Sequence, residues 1–297
     1  MNWKSKLLYS HNWNVGFCEQ TPEDLIHGQA LHKIQWMNHP YKDRWFADPF
    51  IYKISEDEIV VFVEECPIEH PKGVLCELVL DRKTKRLKQR HVLLDLDTHL
   101  SYPAIIECDG KTFVYPENGT SGKLNMYEYD EADHRLMNPV CILEEAVADA
   151  TIIECHGEYF MVATKCPNTQ EQVFLYHSDS LFGPFVQTNT DPIQTNRSCS
   201  RPGGNWFVAN EQLYRPAQDC VERYGSALSI MKVSIDDNKM IDSKLFSLRP
   251  TSYKYNRGLH TINFHEGLCV IDGYGYLNPC VGHAFDAVRN IKHLFKN

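Results

Sequence analysis

Trp45-Phe46-Ala47-Asp48-Pro49-Phe50-Ile51 sets a layout that the chain repeats four more times: a polar residue, a short step, an apolar strand, a tight turn and a second apolar strand. Asp48 heads the first copy, which turns at residues 55–57 into Ile59-Val60-Val61-Phe62-Val63-Glu64-Glu65. The second runs from Ser101-Tyr102-Pro103 through Asp109-Gly110 to Tyr115-Pro116-Glu117, and the third from Asp149-Ala150-Thr151 through His156-Gly157 to Thr164-Lys165. Arg201-Pro202-Gly203-Gly204 opens the fourth, which closes on Tyr214-Arg215-Pro216, and His260-Thr261-Ile262-Asn263 opens the fifth, which closes on Asp272-Gly273. Hairpin units recurring at roughly fifty residues are the signature of a propeller, because one blade cannot bury both of its faces alone.

The sequence therefore predicts an all-β fold, a five-bladed β-propeller occupying 1–297 as a single domain, with blades starting near 48, 102, 149, 201 and 260. Trp13-Asn14-Val15-Gly16-Phe17-Cys18 is a strand far from the first blade, within 1–30, and is expected to pair with the last blade and close the ring. Phe285, Val288, Ile291 and Leu294 are spaced like one face of a helix, so a C-terminal helix is expected over 282–297, packed on the propeller by that face. The basic cluster Arg82-Lys83-Thr84-Lys85-Arg86 reads as a solvated turn.

A net charge of -9 argues against nucleic acid as a partner, since neutralising phosphates needs a concentrated basic surface. No apolar run approaches the about 18–20 residues of a transmembrane segment, and the apolar patch after Met1-Asn2-Trp3-Lys4-Ser5-Lys6 is short for a signal peptide, so the expected address is cytoplasmic. The 11 cysteines contain no CxxC pair and several lie in apolar strands, as small core residues would.

In a propeller blade the start of the innermost strand and the end of the second reach the same face of the disc. That geometry gathers Asp48, Glu64 or Glu65, Tyr102, Glu117, Asp149, Lys165, Arg201, Arg215, Gln218, Asp219, His260 and Asp272 around one axial mouth. An Asp before a strand is often only a turn former. Carboxylates, arginines and a histidine converging on one concave face make a polar pocket that folding does not require. No nucleophile elbow, P-loop or zincin motif is present, and one His among aspartates is a weak metal pattern, so no metal or cofactor is expected.

These residues carry a resemblance. Ala47-Asp48-Pro49-Phe50, Asp149 and Ser180-Leu181-Phe182-Gly183-Pro184-Phe185 resemble the five-bladed glycosidases related to glycoside hydrolase family 43. A closer similarity is to the amino-terminal propeller of glucosamine inositolphosphorylceramide transferases and its bacterial relatives. It rests on Phe46-Ala47-Asp48-Pro49-Phe50, Asp149-Ala150-Thr151, Arg201-Pro202-Gly203-Gly204, Tyr214-Arg215-Pro216-Ala217-Gln218-Asp219-Cys220, Tyr224-Gly225 and His260-Thr261-Ile262-Asn263. The resemblance implies glycan chemistry, with Asp48 as base and Asp149 as the residue that tunes and orients the acid. The glycosidases' acid, a Glu opening the fourth blade, is replaced here by Arg201, and Glu117 is the expected substitute, with Glu65 and Asp219 behind it. Glu65, Tyr102, Arg201, Arg215, Gln218, Asp219 and His260 are the expected substrate-binding residues. Two readings stay open: an enzyme that cleaves or transfers a glycosidic bond, and a non-catalytic module that binds an acidic or phosphorylated glycan.

Overall fold

The computed structural model describes residues 8–236 and 239–294, with side chains as far as residue 288. Strands form five sheets, one per expected blade. The first two strands, β1 (Asn12–Glu19) and β2 (Gln35–Trp36), belong to the last sheet, so the first blade begins with the strand that carries Asp48. Blade one is β3 (Arg44–Ile54), β4 (Glu58–Pro67), β5 (Val74–Asp81) and β6 (Leu87–Leu94). Blade two is β7 (Ser101–Cys108), β8 (Lys111–Glu117), β9 (Leu124–Asp130) and β10 (Arg135–Leu143). Blade three is β11 (Val147–Cys155), β12 (Glu158–Lys165) and β13 (Gln172–Ser178), edged by β14 (Val186–Gln187) and β15 (Gln194–Thr195). Blade four is β16 (Phe207–Ala209), β17 (Gln212–Asp219), β18 (Ala227–Asp236) and β19 (Lys239–Leu248).

Blade five is built from both ends of the described chain. β20 (Ile262–His265) and β21 (Leu268–Gly275) are completed by β1 (Asn12–Glu19) and β2 (Gln35–Trp36). β1 pairs antiparallel with β21 over its whole length, Val15 opposite Asp272, which is the expected closure. Closing the ring this way removes two sheet edges that would otherwise be free to pair with other chains. Apolar side chains of neighbouring blades fuse into shared clusters, such as Val15 and Phe17 with Val61, Val63 and Leu78. A fully buried side chain of this kind contributes about 1.5–3 kcal/mol.

Two helices flank the ring. α1 (Pro22–Gly28) was not anticipated, although Thr21 and Asp24 form a reciprocal capping box with Pro at the first turn. α2 (Pro279–Leu294) is the expected C-terminal helix, but it docks by a different face. Gly282 lies against the Tyr276 ring, Asp286 receives Arg257 and Tyr276, and His283 meets the Tyr253 carbonyl. Phe285 and Val288 of the expected apolar face are about half exposed, at 47% and 53%, while Ile291 and Leu294 lie outside the described side chains. The basic turn is exposed at Lys83, Thr84 and Arg86 as expected, but Lys85 is buried, with its ammonium over the Phe17 ring and donating to the Arg82 carbonyl.

One detail of the inner strands positions the site. In β3, β7 and β11 the register slips at the same place, between Ala47 and Phe50, Ser101 and Ala104, and Ala148 and Thr151. At each slip one residue is left-handed: Asp48 at φ 50°, Tyr102 at φ 49° and Asp149 at φ 50°. Such bulges re-aim a side chain, and a non-glycine residue holds this conformation only when its surroundings over-determine it. Here each bulge has its N–H captured by a carboxylate: Asp48 by Asp272, Tyr102 by Asp48, and Asp149 by Glu117.

Candidate active site

Around the axis the blades are tied by polar side chains rather than by apolar packing alone. Tyr102 is fully buried; its hydroxyl accepts from the Gly204 N–H at 2.7 Å and meets Thr151 Oγ1 at 3.0 Å. Asn263 donates to the Pro49 carbonyl at 2.8 Å and accepts from the Asn205 N–H at 2.6 Å. These bonds link all five blades just beneath the carboxylates that the bulges present.

One half of the site centres on Asp48. Its Oδ1 accepts from the Thr261 hydroxyl at 2.8 Å and lies 3.6 Å from His260 Nε2, while Oδ2 accepts from the Tyr102 N–H at 3.2 Å. Behind His260, Asp272 meets Nδ1 at 2.5 Å and also accepts from the His260 and Thr261 N–H groups. The imidazole is stacked on Trp13, centroids 4.0 Å apart, and has the Tyr224 ring edge-on. Burial pushes the Asp48 carboxyl up against the opposing pull of His260, and with nearby Asp149, Glu64 and Asp272 it reaches about 7. Burial alone would lower His260, but Asp272 and Asp48 outweigh it and lift the imidazole to about 9. At neutral pH the histidine is therefore cationic, and Asp48 is poised between its two forms.

The other half centres on Arg201. Nε donates to Asp149 Oδ2 at 2.5 Å, a second nitrogen reaches Glu117 Oε2 at 3.1 Å, and Thr169 takes a third. The guanidinium lies over the Tyr224 ring, 5.2 Å from its centroid. Gln218, fully buried, donates to Asp149 Oδ2 at 2.6 Å and to the Pro202 carbonyl. Burial pushes the Glu117 carboxyl well above the carboxylate range, against the attraction of Arg201. Burial also works against the Arg201 charge, but Asp149, Tyr224 and Glu117 hold it firmly protonated.

Thus Asp48, Tyr102, Glu117, Asp149, Arg201, Gln218 and His260 do converge on the axis. Four expected members do not, the first being Lys165, which pairs with Glu145 at 2.6 Å and donates to Gln187 at 2.7 Å. Arg215 is 1% exposed and its Nε donates to Asp242 at 2.6 Å, with the Cys199 and Ser200 carbonyls taking its remaining nitrogens. Asp219 receives the Val221 N–H and faces Lys244 at 3.6 Å. The reason is strand parity: Arg215 and Asp219 share one face of β17, which packs towards blade three, and Gln218 lies on the other. Glu65 likewise faces Arg44, Arg90 and Cys76. Its neighbour Glu64, on the opposite face of β4, is the one that adds to the field at Asp48, and it pairs with half-exposed His99 at 3.0 Å.

Several residues of the site were not singled out by sequence. Thr261 stood within a quoted run and Tyr224 beside Gly225, so both were within reach of the reading. Trp13, Thr169 and His99 left no local signal, because their relation to the axis exists only once the ring closes.

With this geometry in view, the family comparison is decisive. The profile of the family described as glucosamine inositolphosphorylceramide transferase 1, N-terminal, matches residues 32–254, more than half of the chain. The chain belongs to this family. It is 25% identical over 204 residues to glucosamine inositolphosphorylceramide transferase 1 of Arabidopsis thaliana, a match covering 67% of this chain and 26% of the plant protein. The protein of that name from Oryza sativa subsp. japonica is 23% identical over 199 residues, covering 65% of this chain and 27% of its own length. The chain therefore spans about a quarter of the curated relatives it matches. Its fold is shared with glycoside hydrolases: Zg3597, a family 117 enzyme of Zobellia galactanivorans, superposes with a TM-score of 0.54 at 10% identity, covering 92% of each chain. A thermostable family-43 glycoside hydrolase superposes at 0.51 with 14% identity, over 70% of this chain and 77% of the other.

Proposed function

We propose that the axial face takes a saccharide and breaks or makes a glycosidic bond. Asp48 removes the proton from the incoming hydroxyl or water as that oxygen bonds to the anomeric carbon, and Glu117 gives a proton to the departing glycosidic oxygen. The observation that carries this reading is Asp48 itself: buried, oriented by the Tyr102 N–H and the Thr261 hydroxyl, and held near pH 7 where a base works best. Asp149 acts as the orienting residue, through its bonds to Arg201 and Gln218.

Charge balance argues about the sugar. Asp48, Glu64, Asp149 and Asp272 face the cations Arg201 and His260, while burial pushes Glu117 towards its neutral form. Arg201 already answers two carboxylates, so it offers little to an incoming anion. This favours a neutral or amino-bearing sugar over the acidic or phosphorylated glycan expected from the arginines, and an amino sugar agrees with the glucosamine in the relatives' name.

A second reading, a binding module without turnover, is supported by Arg201 standing where the resemblance expects an acid and by Glu117 Oε2 being occupied by Arg201 and the Asp149 N–H. Assays with labelled nucleotide sugars and aryl glycosides, beside calorimetry with neutral, amino and acidic sugars, separate the two. Under the enzymatic reading Asp48→Asn keeps sugar affinity and loses about 10²–10⁴ of turnover. Wild-type binding with no turnover on any donor class sinks that reading and leaves the binding module.

A further inference from the structure

Away from the axis, on the outer half of the interface between blades one and two, stands a cluster that the axial chemistry does not use. Glu77 lies in the middle of β5 and is 1% exposed. His91, on β6, is its register partner across the ladder, so both side chains share one face of the sheet. His134 reaches the same point from the β9–β10 turn of blade two, with its Nδ1 2.9 Å from Glu77 Oε1. Tyr129 donates its hydroxyl to the other Glu77 oxygen.

Two features set this apart from an ordinary buried carboxylate with a partner. The two imidazoles lie face to face, centroids 3.9 Å apart and 8° from parallel. His134 also adopts a left-handed backbone, φ 48°, a conformation that costs energy and here brings its ring to Glu77. One nitrogen from each ring and a Glu77 oxygen lie within 4.8 Å of one another. Glu77 and His134 line a cleft of about 370 Å³ together with Glu58, Gln89 and Glu131, room enough for water and an ion.

We infer that Glu77, His91 and His134 form a binding site for a divalent transition metal of the zinc class. Two neutral imidazoles and one carboxylate are a donor set that zinc uses when a fourth position stays open to water or a ligand. Because a ligating nitrogen points within its ring plane, the stacked imidazoles must turn out of parallel and draw inwards by about 1–2 Å to reach zinc bond lengths, a movement available to side chains on a turn and an outer strand. The bound ion would tie the outer hairpin of blade two to the central strands of blade one and present its open position to the cleft. The sequence offered no hint of this, because the ligands come from separate blades and lack any metal-ligand spacing.

The test is calorimetric titration of the chelator-stripped full chain with Zn²⁺ alone, repeated with Co²⁺ while following its visible absorption. The expected result is one site of micromolar affinity or better, weakened at least tenfold by His91→Ala and by His134→Ala, and an intense tetrahedral cobalt spectrum that both variants lose. His177→Ala, in the exposed Glu158, His177 and Asp179 cluster of blade three, serves as control and should leave the affinity unchanged. Should Glu77→Gln fail to fold, His91→Ala still decides the matter. No zinc binding, or weak binding that both histidine variants retain, overturns the inference.

Discussion

Arg201-Pro202 at the entry to blade four and Arg215-Pro216 within it each place an arginine whose Nε meets a buried aspartate. Their surroundings differ. Arg201 bridges blades two, three and four at the axis, through Glu117 and Asp149, and shares the Tyr224 ring with His260. Arg215 is enclosed between Asp242 of its own sheet and the carbonyls of the segment leading in from blade three. The difference teaches that an arginine held by carboxylates is not by that fact a ligand site. What distinguishes Arg201 is that its carboxylate partners stand beside a second, titratable group of residues around Asp48.

The comparison can be broken most sharply by removing each guanidinium. Arg201→Leu leaves Asp149 and Glu117 facing each other without a cation, and Arg215→Leu leaves fully buried Asp242 alone, so each should lose about 3–5 kcal/mol of stability in denaturant titration. Ligand affinity separates them: the Arg201 variant should lose sugar binding at a temperature where it remains folded, and the Arg215 variant should keep it. Equal loss of affinity in both would put Arg215 back into the site.

A smaller effect should appear in pH dependence, to which the Asp48 half of the axis contributes two shifted groups. His260 is raised from 6.5 to about 9, so its contribution to stability is complete below about pH 6.5 and is lost as pH rises through 9. Asp48 is raised from 3.8 to about 7, so the folded state holds its proton more tightly and stability falls as pH rises from about 4 through 7. Both act in the same direction, and thermal melting should show Tm declining between pH 6 and 9.5. His260→Gln should flatten the part between 6.5 and 9; an unchanged slope would show that the imidazole does not hold the extra proton.

The smallest expected change is Thr261→Val. It keeps the shape and removes one hydrogen bond to Asp48 Oδ1, for about 0.5–1.5 kcal/mol of stability and a further rise of the Asp48 pKa. An upward shift of the acidic limb in the pH–rate profile, with sugar affinity unaltered, would sharpen the division between the two halves. A lower limb would mean that the Thr261 hydroxyl does not stabilise the Asp48 charge.

How far the sequence could be read follows from where each feature is encoded. The five hairpins, their turns at Asp109-Gly110, His156-Gly157 and Glu266-Gly267, and the orphan strand around Val15 are local patterns of apolar alternation and turn residues. Those patterns by themselves determined the all-β propeller and its closure by β1. They also brought Asp48, Asp149 and His260 to one end of the disc, because strand direction follows from counting hairpins.

What tertiary structure alone decided is which side of a strand meets the axis. Glu64 and Glu65 are chemically alike and adjacent, as are Gln218 and Asp219 nearly so, and period-two alternation sends the members of each pair to opposite faces. The phase of that alternation relative to the axis is set by how each blade packs on the next, and in the inner strands also by the slips at Asp48, Tyr102 and Asp149. A bulge of one residue leaves almost no trace in composition, yet it reverses every side chain beyond it. The pairing of Arg201 with both Asp149 and Glu117, and the meeting of His91 with His134, depend on contacts between blades, and no stretch of sequence contains both partners of such a contact.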